Sequence, residues 1–334
     1  GAFCIGTDQI DLAAARRAGV VVFNAPFSNT RSVAELVLGE IIMLSRQIFP
    51  RSQACHRGEW RKSATGSHEV RGKTVGIVGY GHIGSQLSVI AESLGMSVIY
   101  HDIVPKLPLG NARPAESLEA LLRESDFVTL HVPDTEFTRG MIGAGEIACM
   151  RKGAYLINAS RGKVVDIPAL RAALDEERLA GAAIDVYPVE PAHPGEPFVS
   201  ELRGLDQVIL TPHIGGSTEE AQASIGREVS TALGTYLLHG STTGSVNLPN
   251  IDVAPLREGG CRIINVHRNV PGVLSAVNRA VAESEVNVTG QSLGTIEDVG
   301  LLIVDLALGG EDPKARELCH AIAGLPTSLR TRIL

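Results

Sequence analysis

Residues 73–102 hold the pattern that most restricts the fold. A short apolar run, Lys73 to Val78, leads into a GxGxxG loop of Gly79, Gly81 and Gly84, then an amphipathic stretch from Ser85 to Gly95 and a second apolar run, Ser97 to Tyr100, that ends at Asp102. Strand, glycine loop, helix, strand and terminal acid together predict a βαβ unit of the dinucleotide-binding kind. The first glycine permits a tight turn, the second lets backbone approach a pyrophosphate, and the third lets helix and strand pack closely. The helix N-terminus offers unpaired N–H groups and the positive end of its dipole to the phosphates. Asp102 is placed to accept hydrogen bonds from both ribose hydroxyls and to repel a 2′-phosphate, so the cofactor read from these residues is NAD, not NADP. A tight turn with no ligand would explain the glycines but not the acid.

Further strands are predicted at Phe127 to Val132, Ala154 to Asn158, Ala182 to Val186 and Gln207 to Leu210, separated by helices such as Pro168 to Glu177. With the two runs around the glycine loop they make a doubly wound parallel (Rossmann) sheet, in which ligands sit beyond the carboxyl ends of the strands. His131-Val132-Pro133, Ala159 to Gly162, Asp185 to Pro188 and Thr211-Pro212-His213 all fall at such ends. Ser32 to Ile48 reads as one long helix, apolar on more than one face, and so buried between domains or subunits. Gly1 to Cys4 resembles the middle of a strand that leads into a helix from Gln9 to Gly19.

Of 334 residues, 44% are apolar and 20% charged, enough for large cores and two or three domains. The net charge of −7 argues against nucleic acid or an anionic membrane as the main partner. The apolar run Leu36 to Leu44 is interrupted by Glu40, and no stretch reaches the length of a membrane span. The five cysteines are scattered without a CxxC pair, which suggests a reducing cytoplasm and no metal site.

Oxidation of a secondary alcohol needs a hydride acceptor, a base for the hydroxyl proton, and a cation for the neighbouring carboxylate. His213 suits the base, because imidazole titrates near working pH. Glu190 suits the far ring nitrogen, fixing its tautomer, and Arg161 offers a planar fork of donors for a carboxylate. Taken singly they read better as a loop histidine, a solvated acid and a surface ion-pair partner. At successive strand ends beside a nucleotide loop, they read together as catalytic.

The segments VGIVGYGHIG, LINASRG, AAIDVYPVEP and LTPHIGGSTEEAQ resemble signatures of the D-isomer-specific 2-hydroxyacid dehydrogenases. The resemblance implies that Arg161 holds substrate, that Glu190 pairs with His213, and that His213 is the acid/base. It also implies cofactor contacts at His82, Ile83, Asp102, Ala159, Ser160, Arg161, Asp185, His213, Ile214, Gly215 and Gly216. More narrowly, FNAPFSNTRSVAELVLGEI and HRGEW are similar to the bacterial branch that oxidises the phosphorylated acid D-3-phosphoglycerate for L-serine synthesis. That branch implies substrate contacts at Asn29 and Gln222, and a homo-oligomer in which the segment of Trp60 and Lys62 reaches a neighbouring subunit's site. The alternatives are a helix cap for Asn29 and a core aromatic for Trp60.

After Pro249 and a Gly259-Gly260 loop, the order strand, helix, strand, strand, helix, strand predicts a ferredoxin-like βαββαβ unit. VHRNVPGVL followed by EVNV is similar to ACT regulatory domains, which implies L-serine as effector and His267, Asn269 and Asn287 as its contacts. Terminating a strand and capping a helix are the plain readings of His267 and Asn269. The domains expected are 1–28 as the remnant of a flavodoxin-like substrate domain, 29–215 for NAD, 216–258 as return and linker, and 259–334 as the ACT unit. Relatives carry further residues ahead of GAFCIGTDQID, so the chain as given is expected to bind NAD but to turn over poorly. Another D-2-hydroxy acid, such as glycerate or 2-hydroxyglutarate, and a non-catalytic NAD sensor are the competing readings.

Overall fold

Seven parallel strands form the larger sheet of the computed structural model, which describes every residue except Asp8 and Pro194. Its described residues divide into two units, Asn29–Gln222 and a second made of Gly1–Ser28 with Ala223–Leu334. In chain order the first elements are α1 (Leu12–Arg17), α2 (Thr30–Arg46), α3 (Ile48–His56), β1 (Thr74–Val78), α4 (His82–Ser93), β2 (Ser97–His101) and β3 (Arg113–Pro114). Then come α5 (Leu118–Glu124), β4 (Phe127–Leu130), α6 (Ala144–Cys149), β5 (Ala154–Asn158), α7 (Ile167–Asp175), β6 (Leu179–Ile184) and β7 (Val208–Leu210).

The sheet order is β3-β2-β1-β4-β5-β6-β7, so the order in which strands are added reverses between the parallel neighbours β1 and β4. Central strands β4 and β5 are buried along their whole length, as strands covered on both faces must be. One face packs on α5, α6 and α7 through Leu121, Leu122, Ile147, Leu170 and Leu174. The other packs on α2 and α4 through Val37, Ile41, Leu87 and Ala91. The predicted strands are present with shifted ends: β4 stops at Leu130 and β6 runs from Leu179 to Ile184, so the strand-end residues begin one or two positions sooner.

The single helix expected over Ser32 to Ile48 is two. Gln47 adopts the left-handed conformation at φ 52° and breaks the ladder between α2 and α3. Gly1 to Cys4 is not a named strand, although Ala2 N–H donates to Phe23 O and Ala25 N–H to Cys4 O. The following helix is only α1, capped by the Asp11 side chain on Ala14 N–H.

The chain passes from the first unit to the second within α8 (Glu219–His239). There follow β8 (Cys261–Arg268), α9 (Val273–Ser284), β9 (Val288–Ile296), β10 (Val299–Leu306), α10 (Pro313–Ala323) and β11 (Ser328–Ile333). This is the βαββαβ order, an antiparallel sheet β11-β8-β10-β9. Val277, Leu302, Leu318 and Ile322 fill the core under the two helices. The opposite face is also covered, by Leu248 and Ile251 against Ile264, Val266, Leu301 and Ile303. Arg262 is buried on β8, 1% exposed, with its guanidinium doubly bonded to Asp305 at 2.6 and 2.8 Å. It also donates to the carbonyls of His239, the last residue of α8, and Ala254. A buried guanidinium is tolerated only when its donors are satisfied in this way.

Candidate active site

At the β1 end the glycine loop has the shape its spacing predicts. Gly79 sits at φ 91°, and a Cβ there would overlap the His131 carbonyl. A Cβ at Gly84 would meet the Gly79 carbonyl and Ile77, whereas one at Gly81 would meet nothing within 4 Å. The loop is therefore closed where strands and helix pack and open where α4 begins, the place a pyrophosphate would occupy. His82 and Ile83 form the first turn of α4. Asp102 lies just past β2, its carboxylate accepting from Tyr80 N–H at 2.8 Å and Val104 N–H at 3.0 Å. Those two bonds hold the acid beside the glycine loop, so the residues present fit a dinucleotide.

The remaining groups come from three adjacent strands. Ala159, Ser160 and Arg161 follow β5, Asp185 and Glu190 follow β6, and His213 to Gly216 follow β7. Neighbouring parallel strands bring their carboxyl ends to one rim, which is how residues remote in sequence meet. His213 Nδ1 lies 2.8 Å from Glu190 Oε2, and Glu190 Oε1 accepts from Tyr187 N–H at 3.1 Å. The imidazole side chain is half exposed, open to a substrate. His213 stands at φ 55°, a conformation held from beneath by Asp185. The Asp185 carbonyl accepts from His213 N–H at 2.8 Å, and its carboxylate from Ile214 N–H, Gly215 N–H and the Thr211 hydroxyl. Gly162, next to Arg161, packs on the backbone of Tyr187 and Pro188 so closely that no Cβ fits. Arg161 and Glu190 thus project from loops that touch.

Asn29 precedes α2 without capping it; its Oδ1 is buried with no partner among the described residues, and its Nδ2 lies against Gly216. Gln222 is exposed in the first turn of α8. Trp60 is 84% exposed rather than part of the core, on a segment held by Arg51 through the Arg61 and Ser63 carbonyls, with Lys62 exposed beside it. In the second unit His267 is buried, its Nδ1 3.2 Å from Asn265 Oδ1. Asn269 does not cap α9, whose N-cap is Gly272; it donates instead to the Glu297 carbonyl at 3.1 Å. Asn287 is exposed immediately before β9, its carbonyl accepting from Ala307 N–H at 3.0 Å. No group of three or more potential metal ligands occurs among the described residues, and no helix among them is long and apolar enough to cross a membrane.

His131, just past β4, is half-buried, and desolvation lowers its pKa to about 4 and keeps it neutral, with Nε2 3.0 Å from the Thr129 hydroxyl. Glu40 escaped the sequence reading. It is 2% exposed on α2, both carboxylate oxygens lack partners among the described residues, and burial, with Asp185 adding, pushes its pKa up to about 8. The stretch of α2 that carries it is fixed at both ends, since Leu44 approaches Gly181 in β6 while Val33 and Leu36 approach Gly215. A carboxyl that ionises near its ordinary 4.5 in the unfolded chain and near 8 in the folded one favours folding less as pH rises between those values. Replacing Glu40 with glutamine is therefore expected to stabilise the protein progressively from pH 5 to pH 8, by up to roughly 1.4 kcal/mol per pH unit. Urea unfolding of both proteins across that window checks it; parallel pH dependences would contradict it.

Residues 38–215 match the family model for the NAD-binding domain of D-isomer-specific 2-hydroxyacid dehydrogenases, and residues 263–328 match that for the ACT domain of the AHAS small-subunit type. The whole chain aligns at 53% identity with 80% of a D-3-phosphoglycerate dehydrogenase of Haemophilus influenzae. It aligns at 52% with 80% of the one from Escherichia coli K12. Among solved structures, a D-lactate dehydrogenase of Aquifex aeolicus complexed with NAD and lactic acid superposes with TM-score 0.66 at 29% identity, covering 74% of this chain and 79% of that one.

Proposed function

The chain belongs to the D-isomer-specific 2-hydroxyacid dehydrogenases, and from that premise we propose that it oxidises D-3-phosphoglycerate to 3-phosphohydroxypyruvate with NAD, under control by L-serine at its C-terminal domain. The observation that carries the chemistry is the 2.8 Å contact between Glu190 and His213 at the ends of neighbouring strands. Bound NAD supplies the hydride acceptor. Arg161 holds the substrate carboxylate and orients C2. His213 Nε2 takes the hydroxyl proton as the carbonyl forms, and Glu190, at the opposite nitrogen, stabilises the resulting imidazolium. The backbone of Ala159 to Arg161 and of His213 to Gly216, with Asp185, would hold the nicotinamide end of the bound cofactor.

Asn29 Oδ1, without a partner among the described residues, and the exposed Gln222 support extra polar contacts for a phosphorylated acid. Trp60 and Lys62, displayed on an ordered segment, support association with a second copy of the chain. His267, Asn269 and Asn287 are the effector candidates. The deciding experiment follows NADH formation from D-3-phosphoglycerate and from D-glycerate in the intact protein, with and without L-serine. Preference for the phosphorylated acid and suppression by serine are expected; equal use of both acids would overturn the substrate assignment, and indifference to serine the regulatory one. Replacing Asp102 with alanine is expected to narrow the preference for NAD over NADP by at least about tenfold, because it removes the charge that opposes a 2′-phosphate. Steady-state constants for the two cofactors test this, and an unchanged ratio would exclude the role.

A further inference from the structure

Asn158 closes β5, is 1% exposed, and has no role in the scheme above. Its side chain is spent on the turn that carries Arg161. Oδ1 accepts from the Ser160 N–H at 3.1 Å and lies 2.8 Å from the Ser160 hydroxyl, while Nδ2 donates to the Arg161 carbonyl at 3.0 Å. The Arg161 guanidinium bonds back to the Ser160 carbonyl at 2.8 Å, so the residue that Asn158 grips on both its polar groups is also the one that the guanidinium leans on. On the other side, the Asn158 carbonyl accepts from Asp185 N–H at 3.0 Å, and Asp185 fixes the backbone of His213 to Gly215. One buried residue therefore links the loop of the cation, through its side-chain amide, to the strand end that supports the loop of the base, through its backbone carbonyl.

The chemistry of the contacts singles out this side chain. The turn needs an acceptor for two donors and a donor for one carbonyl, within one short reach of Cα. A carboxamide supplies both, whereas an ionised aspartate has no donor and would bury a charge. Neither the helix that follows nor the core requires a polar group here; the three bonds all serve residues 160 and 161.

We propose that Asn158 is a positioning residue for Arg161, setting the direction in which the guanidinium leaves β5 and so the placement of the substrate carboxylate. This rests on the reading of Arg161 given under the proposed function. Asn158→Ala and Asn158→Asp, each made in the intact protein and in an Arg161→Lys background, test it. Each change is expected to lower kcat/KM for the hydroxy acid about 30- to 100-fold in the first background, as misplaced binding groups do, and less than about threefold in the second, because coupled residues are not additive. The midpoint of the pH profile should stay where it is.

Equal losses in both backgrounds, a moved pH midpoint, or kcat/KM within twofold of the parent would each overturn the proposal. Should both variants fail to fold, Ser160→Ala removes only the hydroxyl contact and is expected to cost several-fold in the first background alone. Oxamate binding to the NADH complex reads the same cycle without turnover. An inactive parent would therefore count against the dehydrogenase reading, while the oxamate cycle would still decide for or against Asn158.

Discussion

Asparagine in place of His213 is expected to lower kcat by about 10³-fold while NAD binding changes little. The first half follows from the proton that must leave the hydroxyl as the hydride leaves C2, for which an amide cannot substitute. The second half follows from the geometry of the loop. Its backbone is fixed by the Asp185 carbonyl and carboxylate, not by the imidazole, and position 213 sits at φ 55°, where asparagine is among the few residues that remain comfortable. The substitution thus removes the base with the least disturbance of the fold. Fluorescence titration with NADH and steady-state kinetics measure the two halves; a variant that still turns over near the parental rate would leave only a cofactor-binding role for this rim.

Alanine at Gly162 should be nearly as damaging, by displacement instead of deletion. The added methyl would overlap the Tyr187 carbonyl and Pro188 nitrogen. Those are backbone atoms at the end of β6, so no side chain can swing aside to make room. Either the Arg161 turn or the Glu190 loop has to move, and separations of reacting groups matter at the ångström level. A fall in kcat/KM of about 100-fold is expected, with the circular dichroism of a folded protein. Wild-type kinetics would mean that the two loops are not held in register by this contact.

Much of this site could be read from the sequence because strand ends in a doubly wound sheet are a fixed address. Once β1 and its glycine loop are located, Arg161, Glu190 and His213 follow from their places after β5, β6 and β7. What escaped has local causes. The strand β3 is two residues long and contains Pro114, a residue that argues against strand, yet it pairs with β2 at the sheet edge, where a missing N–H costs little. The break at Gln47 is invisible because a left-handed glutamine carries no glycine signal. Glu40 reads in the sequence only as a charge interrupting Leu36 to Leu44; that it lies inside the protein depends on the helix packing along β6. Asn158 lies within a quoted motif, but its task is set by hydrogen bonds that its neighbours alone do not reveal.

Arg262 bears on how the protein can be taken apart. Its guanidinium is satisfied partly by Asp305 within the four-stranded sheet and partly by carbonyls of residues 239 and 254, outside the βαββαβ segment. A fragment cut at the Gly259-Gly260 loop would strand that cation with half its acceptors gone and lay bare the Ile264 and Leu301 face. The ACT-type βαββαβ unit is therefore not a detachable bead on a string. Expression of a stable, monodisperse C-terminal piece should require starting no later than the end of α8.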